Sequence, residues 1–233
     1  MKFENTSILG LENAIYGMRL PMCRDFEDAK NKSDSEYKDR YFFIGEKDLK
    51  IATNLIKADS NGGGQPNSKF LRMIHVQVAI TAPLYFWKEL DTYKVSTVAN
   101  STSTMHKLAS TPITMDCFEL DDFAPNELIV EGEIGKNKWI APPLLNYWAD
   151  TIKYLECLRQ TYLDTKDKRY WKELIRLLPE SWLQTRMFDC NYSTLRDIYK
   201  WRKNHKLSEW HQFCEWIEWL PYAKELIIDE VGK

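Results

Sequence analysis

Residues 72–107 constrain the fold most strongly, because a strand pattern, a helix pattern and a run of hydroxyl groups follow one another there. Over residues 72–80 apolar and polar side chains alternate, as in a half-buried strand that places His75 on the polar face. Thr81 is typical of a helix N-cap and Pro83 of a first helical turn. The sequence therefore predicts a strand over 72–80 and a helix over 83–94. The apolar face of that strand consists of Ile74, Val76, Val78 and Ile80.

The predicted helix leads into a segment rich in hydroxyl groups. Six of the nine residues 96–104 are Ser or Thr, which is more local hydrogen-bonding capacity than a turn needs. Two basic residues, His106 and Lys107, follow at once. We interpret the segment as a ligand-binding loop held by the preceding helix, with a surface loop or a series of helix caps as the alternative.

Length and composition indicate one packed α+β domain over residues 1–233, in which 44% of residues are apolar and 13% aromatic. A net charge of −2 argues against a nucleic-acid polymer as partner. The five cysteines are widely spaced and form no C-x-x-C pair, which favours reduced thiols and no metal site. No signal peptide or membrane-spanning run is apparent, so we expect a cytoplasmic protein with no membrane partner.

Helical spacing of apolar residues predicts further helices over 46–57, 143–165, 172–178, 192–204 and 207–220. The glycine run 62–64 lacks the Gly-Lys-Ser/Thr of a phosphate-binding loop and is expected to be a linker. Residues 111–140 show short alternations typical of a variable meander or an insertion. Strands followed by helices predict antiparallel strands with a helical C-terminal half. Core or subunit-interface packing is expected for Trp201, Trp210, Trp216 and Trp219.

Several short motifs occur in order along the chain: Asn13-Ala14-Ile15-Tyr16-Gly17, Glu46-Lys47-Asp48-Leu49, Asn67-Ser68-Lys69-Phe70, Ala82-Pro83-Leu84-Tyr85, Leu178-Pro179, Asn191-Tyr192-Ser193-Thr194-Leu195, Ile198-Tyr199-Lys200-Trp201-Arg202 and Ser208-Glu209-Trp210. In this order and at matching spacing, they resemble the flavin-dependent thymidylate synthase family, often called ThyX. The resemblance implies a ThyX-like fold and a homotetramer with active sites at subunit contacts that bind dUMP, FAD, NADPH and a methylene-tetrahydrofolate donor. In such enzymes the flavin carries the chemistry, so no nucleophilic side chain is required.

The family's charged signature is altered in this chain. Counted from Ala82 without a gap, the family's Arg-His-Arg falls on Thr92, Tyr93 and Lys94. Its S-x-N-E-x-S-x-R falls on Thr97, Ala99, Asn100, Thr102 and Thr104, so hydroxyls remain while the Glu and the last Arg are lost. Each charge-assisted hydrogen bond lost at a phosphate site is worth about 1.5–3 kcal/mol. Lys94, His106 and Lys107 are the local substitutes.

The resemblance also assigns roles to individual residues. Arg202 takes the position of the arginine that reads the pyrimidine; an arginine favourable to a helix C-terminus is the alternative. Arg176 is one residue off the spacing of another nucleotide-contacting arginine, and an exposed salt bridge is the alternative. The full nucleotide set is Arg202, Arg176, Lys94, Asn100, Ser101, Thr102, Thr104, His106 and Lys107. The flavin set is Thr92, Tyr93, Lys94, Asn191 and Asp197, where Asp197 replaces an amide with a charge that would repel a diphosphate.

Together these features favour a ThyX-like protein that binds or sequesters a small nucleotide and has lost or altered the flavin signature. The alternative is an active FAD-dependent thymidylate synthase, or a related methyltransferase acting on C5 of a pyrimidine nucleotide. A scaffold that kept only the fold is a third hypothesis. Such divergence would suit a phage or prophage gene.

Overall fold

A computed structural model describes residues 1–59, 66–120, 131–134, 137–140 and 143–228. Its α-helices are α1 (Leu11–Arg19), α2 (Phe26–Lys32), α3 (Glu46–Asp59), α4 (Leu84–Leu90), α5 (Thr104–Lys107), α6 (Leu144–Thr165), α7 (Lys168–Arg176), α8 (Tyr192–Arg202) and α9 (Ser208–Glu218). Its strands are β1 (Lys2–Leu9), β2 (Glu36–Lys38), β3 (Tyr41–Phe43), β4 (His75–Pro83), β5 (Val98–Ser101), β6 (Glu131–Ile134), β7 (Asn137–Ile140) and β8 (Leu183–Asn191). Short 3₁₀ turns cover Leu20–Met22, Lys69–Met73, Leu108–Ser110 and Met115–Cys117, and a π-helical turn covers Lys224–Ile228.

The strands form one four-stranded sheet in the order β1-β4-β8-β5 and two hairpins. The hairpins β2–β3 and β6–β7 are antiparallel, with Ile134 opposite Asn137 at the end of the second. Helices and strands are mixed as expected, so the predicted α+β class with its helix-rich C-terminal half is confirmed. No helix in the described part of the chain is long and apolar enough to cross a bilayer.

The chain divides into two compact units, so the single domain expected from the sequence stays a prediction. The first unit comprises Met1–Ile80, Glu89–Asn100 and Arg186–Lys233. The second comprises Thr81–Lys88 and Ser101–Thr185.

The core of the first unit confirms the alternation seen in the sequence. Ile74, Val76, Val78 and Ile80 are all fully buried. On the opposite face, His75 Nδ1 lies 3.1 Å from Asp189 Oδ1, and Gln77 Nε2 donates to the other oxygen of Asp189 at 3.0 Å. Strand β4 thus separates an apolar layer from a polar surface.

Helix α9 supplies much of the aromatic core of the first unit. Trp210 and Phe213 are fully buried and Trp216 nearly so, which confirms the predicted packing for two of the four tryptophans. Trp201 and Trp219 are instead 70% and 88% exposed in the single chain, so core packing is wrong for them. Their expected place at a subunit interface stays a prediction.

The core of the second unit joins α6 and α7 to the segment after α5. It contains Leu108, Ile113, Phe118, Leu155 and Leu174. Beside it the nearly buried Arg159 pairs with Glu156 at 2.6 Å, and its Nη1 donates to the Ala109 carbonyl at 3.0 Å. This ion pair holds the pKa of the Glu156 carboxyl at about 2.

The largest local correction concerns the helix predicted over 83–94. Thr81 is not an N-cap, because it belongs to β4 and its hydroxyl hydrogen-bonds that of Thr185 at 2.7 Å. The first N–H groups of α4 instead bond to carbonyls of a tertiary neighbour, with Leu84 donating to Trp182 at 3.1 Å. The helix ends at Leu90, since the Thr92 hydroxyl closes it by donating to the Glu89 carbonyl.

Other boundaries also differ from the sequence predictions. The hydroxyl-rich segment 96–104 contains strand β5 and begins α5, so it is not entirely a loop. Strand β8 was not predicted, although it lies inside the half expected to be helical. The glycine run 62–64 lies outside the described residues, as does most of the region 121–142. All five cysteines are free thiols, and no group of metal-binding side chains forms among the residues described.

Candidate functional site

Arg202, the last residue of α8, makes three side-chain contacts. Its Nε donates to the Tyr93 hydroxyl oxygen at 2.9 Å, and its Nη1 lies 3.1 Å from Glu89 Oε2. The guanidinium carbon sits 4.6 Å from the centroid of the Trp210 ring. With 21% of its side chain exposed, Arg202 is fixed in direction yet reachable from solvent.

Glu89 organises this arrangement. Besides pairing with Arg202, its Oε2 accepts a hydrogen bond from Trp210 Nε1 at 2.8 Å and lies 3.7 Å from His205 Nε2. We call Glu89, Tyr93, Arg202, His205 and Trp210 the arginine cluster. Because a carboxylate faces the guanidinium at close range, the cluster's positive charge is largely balanced within the chain.

Thr92, Tyr93 and Lys94, which are predicted to take the place of the ThyX Arg-His-Arg, have three separate roles in the structure. The Thr92 hydroxyl donates to the Glu89 carbonyl at 2.7 Å and so completes the end of α4. Tyr93 joins the arginine cluster, while its carbonyl accepts from the Thr97 hydroxyl at 2.6 Å. Lys94 is exposed. Of the triplet, Lys94 alone presents a cation to solvent.

Two further residues predicted for a flavin site are Asn191, which directly precedes α8, and Asp197, which lies on α8. Asn191 is buried and caps this helix, since its Oδ1 accepts from the Thr194 N–H at 2.9 Å. Partial desolvation raises the pKa of the Asp197 carboxyl, against the opposing attraction of Arg196, Lys200 and Arg72. Asp197 is nevertheless exposed at the surface, and a carboxylate there would repel a diphosphate. Asn191 is therefore committed to the fold, and Asp197 has the wrong charge.

In the second unit, hydrogen bonds with strand β8 fix the backbone of the hydroxyl-rich segment at Thr102. The Thr102 N–H donates to the Thr185 carbonyl at 2.9 Å. The side-chain amide of Gln184, itself buried, donates to the Thr102 carbonyl at 2.9 Å and to the Thr104 hydroxyl at 3.3 Å. The segment is thus tied down by its backbone, while the side chains of Asn100, Ser101 and Thr102 remain exposed.

The remaining predicted cations are on helices of the second unit. His106 and Lys107 lie on α5, whose N-cap Ser103 accepts from the His106 N–H at 3.1 Å, and both side chains are exposed. Arg176 ends α7 and pairs with Glu173 one turn earlier, which is the exposed salt bridge left open by the sequence. Arg176 therefore already has an ionic partner.

Sequence reasoning missed the residues that hold the predicted contacts in place. Glu89 stands four positions before Tyr93, a separation that places side chains on one face of a helix. That spacing was the available signal for a carboxylate beside the altered triplet. Nothing in the sequence indicated that Gln184 contacts Thr102 and Thr104, because it does so from strand β8, which was not predicted.

Comparison with solved structures identifies the fold. Two crystal structures of the flavin-dependent thymidylate synthase ThyX from Helicobacter pylori with FAD and dUMP are 17% and 18% identical, cover both chains fully and superpose with a TM-score of 0.62. The UMP/dUMP methylase PolB from Streptomyces cacaoi, bound with 5-Br dUMP, is 16% identical over 99% of this chain and 92% of its own, with a TM-score of 0.57. Neither a family model nor a curated protein sequence matches. The chain therefore has the fold of the flavin-dependent thymidylate synthases.

Proposed function

We propose that the chain is a ThyX-like nucleotide-binding protein that binds or sequesters a small pyrimidine nucleotide and has lost or altered the flavin site. The fold neighbours were solved with dUMP or its 5-bromo analogue, which supports this ligand class. The arginine cluster supplies the base-side contact in this proposal.

The observation that carries the proposal is the pattern of contacts made by the Arg202 guanidinium. Nε donates to the Tyr93 hydroxyl and Nη1 pairs with Glu89, while Nη2 forms no hydrogen bond within the ranges that the structure describes. Tyr93 accepts from Arg202, so its own hydroxyl hydrogen can still be donated. The two donors lie side by side in a charge-balanced setting, which suits the neutral carbonyl edge of a uracil better than a phosphate.

The phosphate is assigned to Lys94, which belongs to the same unit as the arginine cluster, while His106 and Lys107 of the other unit stay predicted nucleotide contacts. Lys94, His106 and Lys107 are exposed, and no acidic side chain in the described ranges pairs with any of them. The side chains of Asn100, Ser101, Thr102 and Thr104 add neutral hydrogen-bonding groups. The proposal keeps them as nucleotide contacts and leaves out Arg176, which Glu173 already neutralises.

The predicted flavin residues do not fit FAD. Thr92 and Asn191 satisfy helix ends, Tyr93 holds Arg202, and Asp197 is a carboxylate. Only Lys94 could meet a diphosphate. We therefore derive no flavin chemistry from this site.

A homotetramer with pockets at subunit contacts is also proposed. The exposed indoles of Trp201 and Trp219 support it, because large apolar side chains so accessible in one chain are typical of interfaces. Native mass spectrometry of the protein as isolated would count the subunits and show any retained nucleotide or flavin. A monomer would overturn this part of the proposal. A cytoplasmic location, a phage origin and the lack of a nucleic-acid partner stay predictions.

Calorimetry tests the proposed function. The intact chain is titrated with dUMP, UMP and cyclic dinucleotides, and we expect binding of at least one pyrimidine mononucleotide. No binding by any of them would overturn the proposal in favour of a scaffold.

The enzymatic alternative is favoured by one observation, the likeness to the methylase PolB. A flavin-dependent thymidylate synthase, or a methyltransferase acting on C5 of a pyrimidine nucleotide, should bind added FAD and show flavin absorbance. Failure to bind FAD would exclude the flavin-dependent form.

A further inference from the structure

A cavity lies entirely in the second unit, where α5 meets the end of α6 and the start of α7. We call it the aromatic pocket; its volume is about 280 Å³, and it is lined by Met105, His106, Ala109, Tyr162, Lys168 and Trp171. This volume is near the low end of the range for small-molecule sites and suits one ring system better than a dinucleotide. None of the arginine cluster contributes to it.

The walls of the aromatic pocket are held in place by hydrogen bonds. Trp171 Nε1 donates to the Met105 carbonyl at 3.1 Å, which fixes the plane of the indole and joins α7 to α5. Arg159 Nη1 donates at 3.0 Å to the carbonyl of Ala109, another lining residue. The core residues Leu108, next to Ala109, and Leu174, three positions after Trp171, are buried. A site so arranged needs little ordering on binding, which favours affinity.

The charges at the pocket are unbalanced. Lys168 and His106 line it, and neither has an ion-pair partner among the residues that the structure describes. The nearest acid in the sequence, Asp167, caps α7 and is bound by the Arg169 guanidinium at 2.5 Å. The basic groups are thus left to attract an anion.

From this geometry we propose that the aromatic pocket binds a small planar anion. Its ring would stack on Trp171 and Tyr162, and its phosphate or carboxylate would meet Lys168 and His106. Stacking of a base on an aromatic side chain is worth about 1–3 kcal/mol, and the cation adds a charge-assisted hydrogen bond. The site shares only His106 with the nucleotide contacts proposed above.

Four probes separate the contribution of ring stacking from that of the anionic group. The intact protein is titrated with UMP (ring and phosphate), benzoate (ring and carboxylate), uridine (ring alone) and inorganic phosphate (anion alone). We expect benzoate and UMP to bind and the other two to bind at least about tenfold more weakly at this site, since each loses one contact. Binding of neither UMP nor benzoate at millimolar concentration would overturn the proposal.

Variants then locate the binding. Lys168→Gln should weaken benzoate binding about tenfold, whereas Lys166→Gln, an exposed neighbour outside the lining, should leave it unchanged. Trp171→Phe keeps a ring but loses the bond to Met105 and should weaken binding less than Trp171→Leu, with thermal melts confirming that each variant folds. Benzoate binding unaffected by both Lys168→Gln and Trp171→Leu would contradict the proposal. If UMP binding is lost only when Arg202 is changed, UMP binds at the arginine cluster. If UMP binding is lost only when Lys168 is changed, the proposed function of the arginine cluster is refuted.

Discussion

Arg202 and Tyr93 are joined by a hydrogen bond of 2.9 Å between residues 109 positions apart in the chain. By the resemblance found in the sequence, Tyr93 is predicted to take the place of the histidine in the ThyX Arg-His-Arg, and Arg202 that of the arginine that reads the pyrimidine. The hydrogen bond brings these two predicted site residues into one cluster. Tyr93 thus helps to fix the direction of the Arg202 guanidinium.

Removing the Tyr93 hydroxyl tests that contact. Tyr93→Phe keeps the ring against Trp210 but leaves Arg202 Nε without its acceptor, so we expect a loss of about 0.5–1.5 kcal/mol in the free energy of unfolding. Affinity for dUMP should fall by a similar free energy, because one donor to the base is also lost. Chemical denaturation and calorimetry measure the two effects. Tyr37→Phe, at an exposed tyrosine bonded to Glu12, is the control for hydroxyl removal and should leave dUMP affinity unchanged.

Glu89 is expected to set what Arg202 prefers to bind. Glu89→Gln preserves the size of the side chain and one acceptor for Trp210 but removes the charge that balances the guanidinium. Stability should change by less than about 1 kcal/mol, as is usual for a solvent-accessible ion pair. The preference for dUMP over uridine should rise several-fold, since Arg202 would then attract phosphate. A preference that is unchanged or reduced in paired titrations would show that Glu89 does not tune this site.

Much of this arrangement was accessible from sequence, for local reasons. The alternation at Ile74 to Ile80 reports burial on one face of a strand, and it was read correctly. Arg202 was predicted as a site residue because the motifs around it keep their spacing, and its role as a ligand contact stays a prediction. Its partner Glu89 was not, because an acidic residue on a helix surface is usually solvated and the ion pair depends on a long-range contact.

The errors came from tertiary contacts that override local preference. Thr81 and Pro83 have the chemistry of a helix start, but β4 runs through both, and α4 obtains its first acceptors from residues near Trp182. Strand β8 was not predicted from the sequence because Gln184, Arg186 and Asp189 interrupt its apolar pattern. Those polar side chains bind partners on other elements, which a single sequence does not show.

Asn191, a residue predicted for the flavin site, can be tested for its role as the N-cap of α8. Asn191→Ala removes a buried N-cap from α8, so we expect a loss of about 1–2 kcal/mol in the free energy of unfolding. Asn191→Asp can still accept the Thr194 N–H and should lose less. If the alanine variant is as stable as the parent in denaturant melts, the Asn191 cap does not stabilise the fold, and a contact of Asn191 with a ligand stays a prediction.

The Glu156–Arg159 pair predicts a dependence of stability on acid. The folded state lowers the pKa of Glu156 from its usual 4.5 to about 2, so the pair stabilises the fold fully above about pH 5. That contribution should be lost as the pH falls from about 4.5 towards 2, when the carboxylate is protonated. Glu156→Gln should reduce stability at pH 7 and flatten this part of the profile, as measured by melts at a series of pH values. Equal acid sensitivity in the variant and the parent would assign the effect to other carboxylates.

The most direct test of nucleotide binding by the arginine cluster is the dissociation constant for dUMP of the parent protein and of Arg202→Gln. The proposal predicts that the parent binds and that the variant binds about 10- to 100-fold more weakly, the value of one charge-assisted hydrogen bond and its positioning. Lys200→Gln, an exposed cation on the same helix, should bind like the parent. Equal affinity of Arg202→Gln and the parent, with both proteins folded, would contradict the central claim.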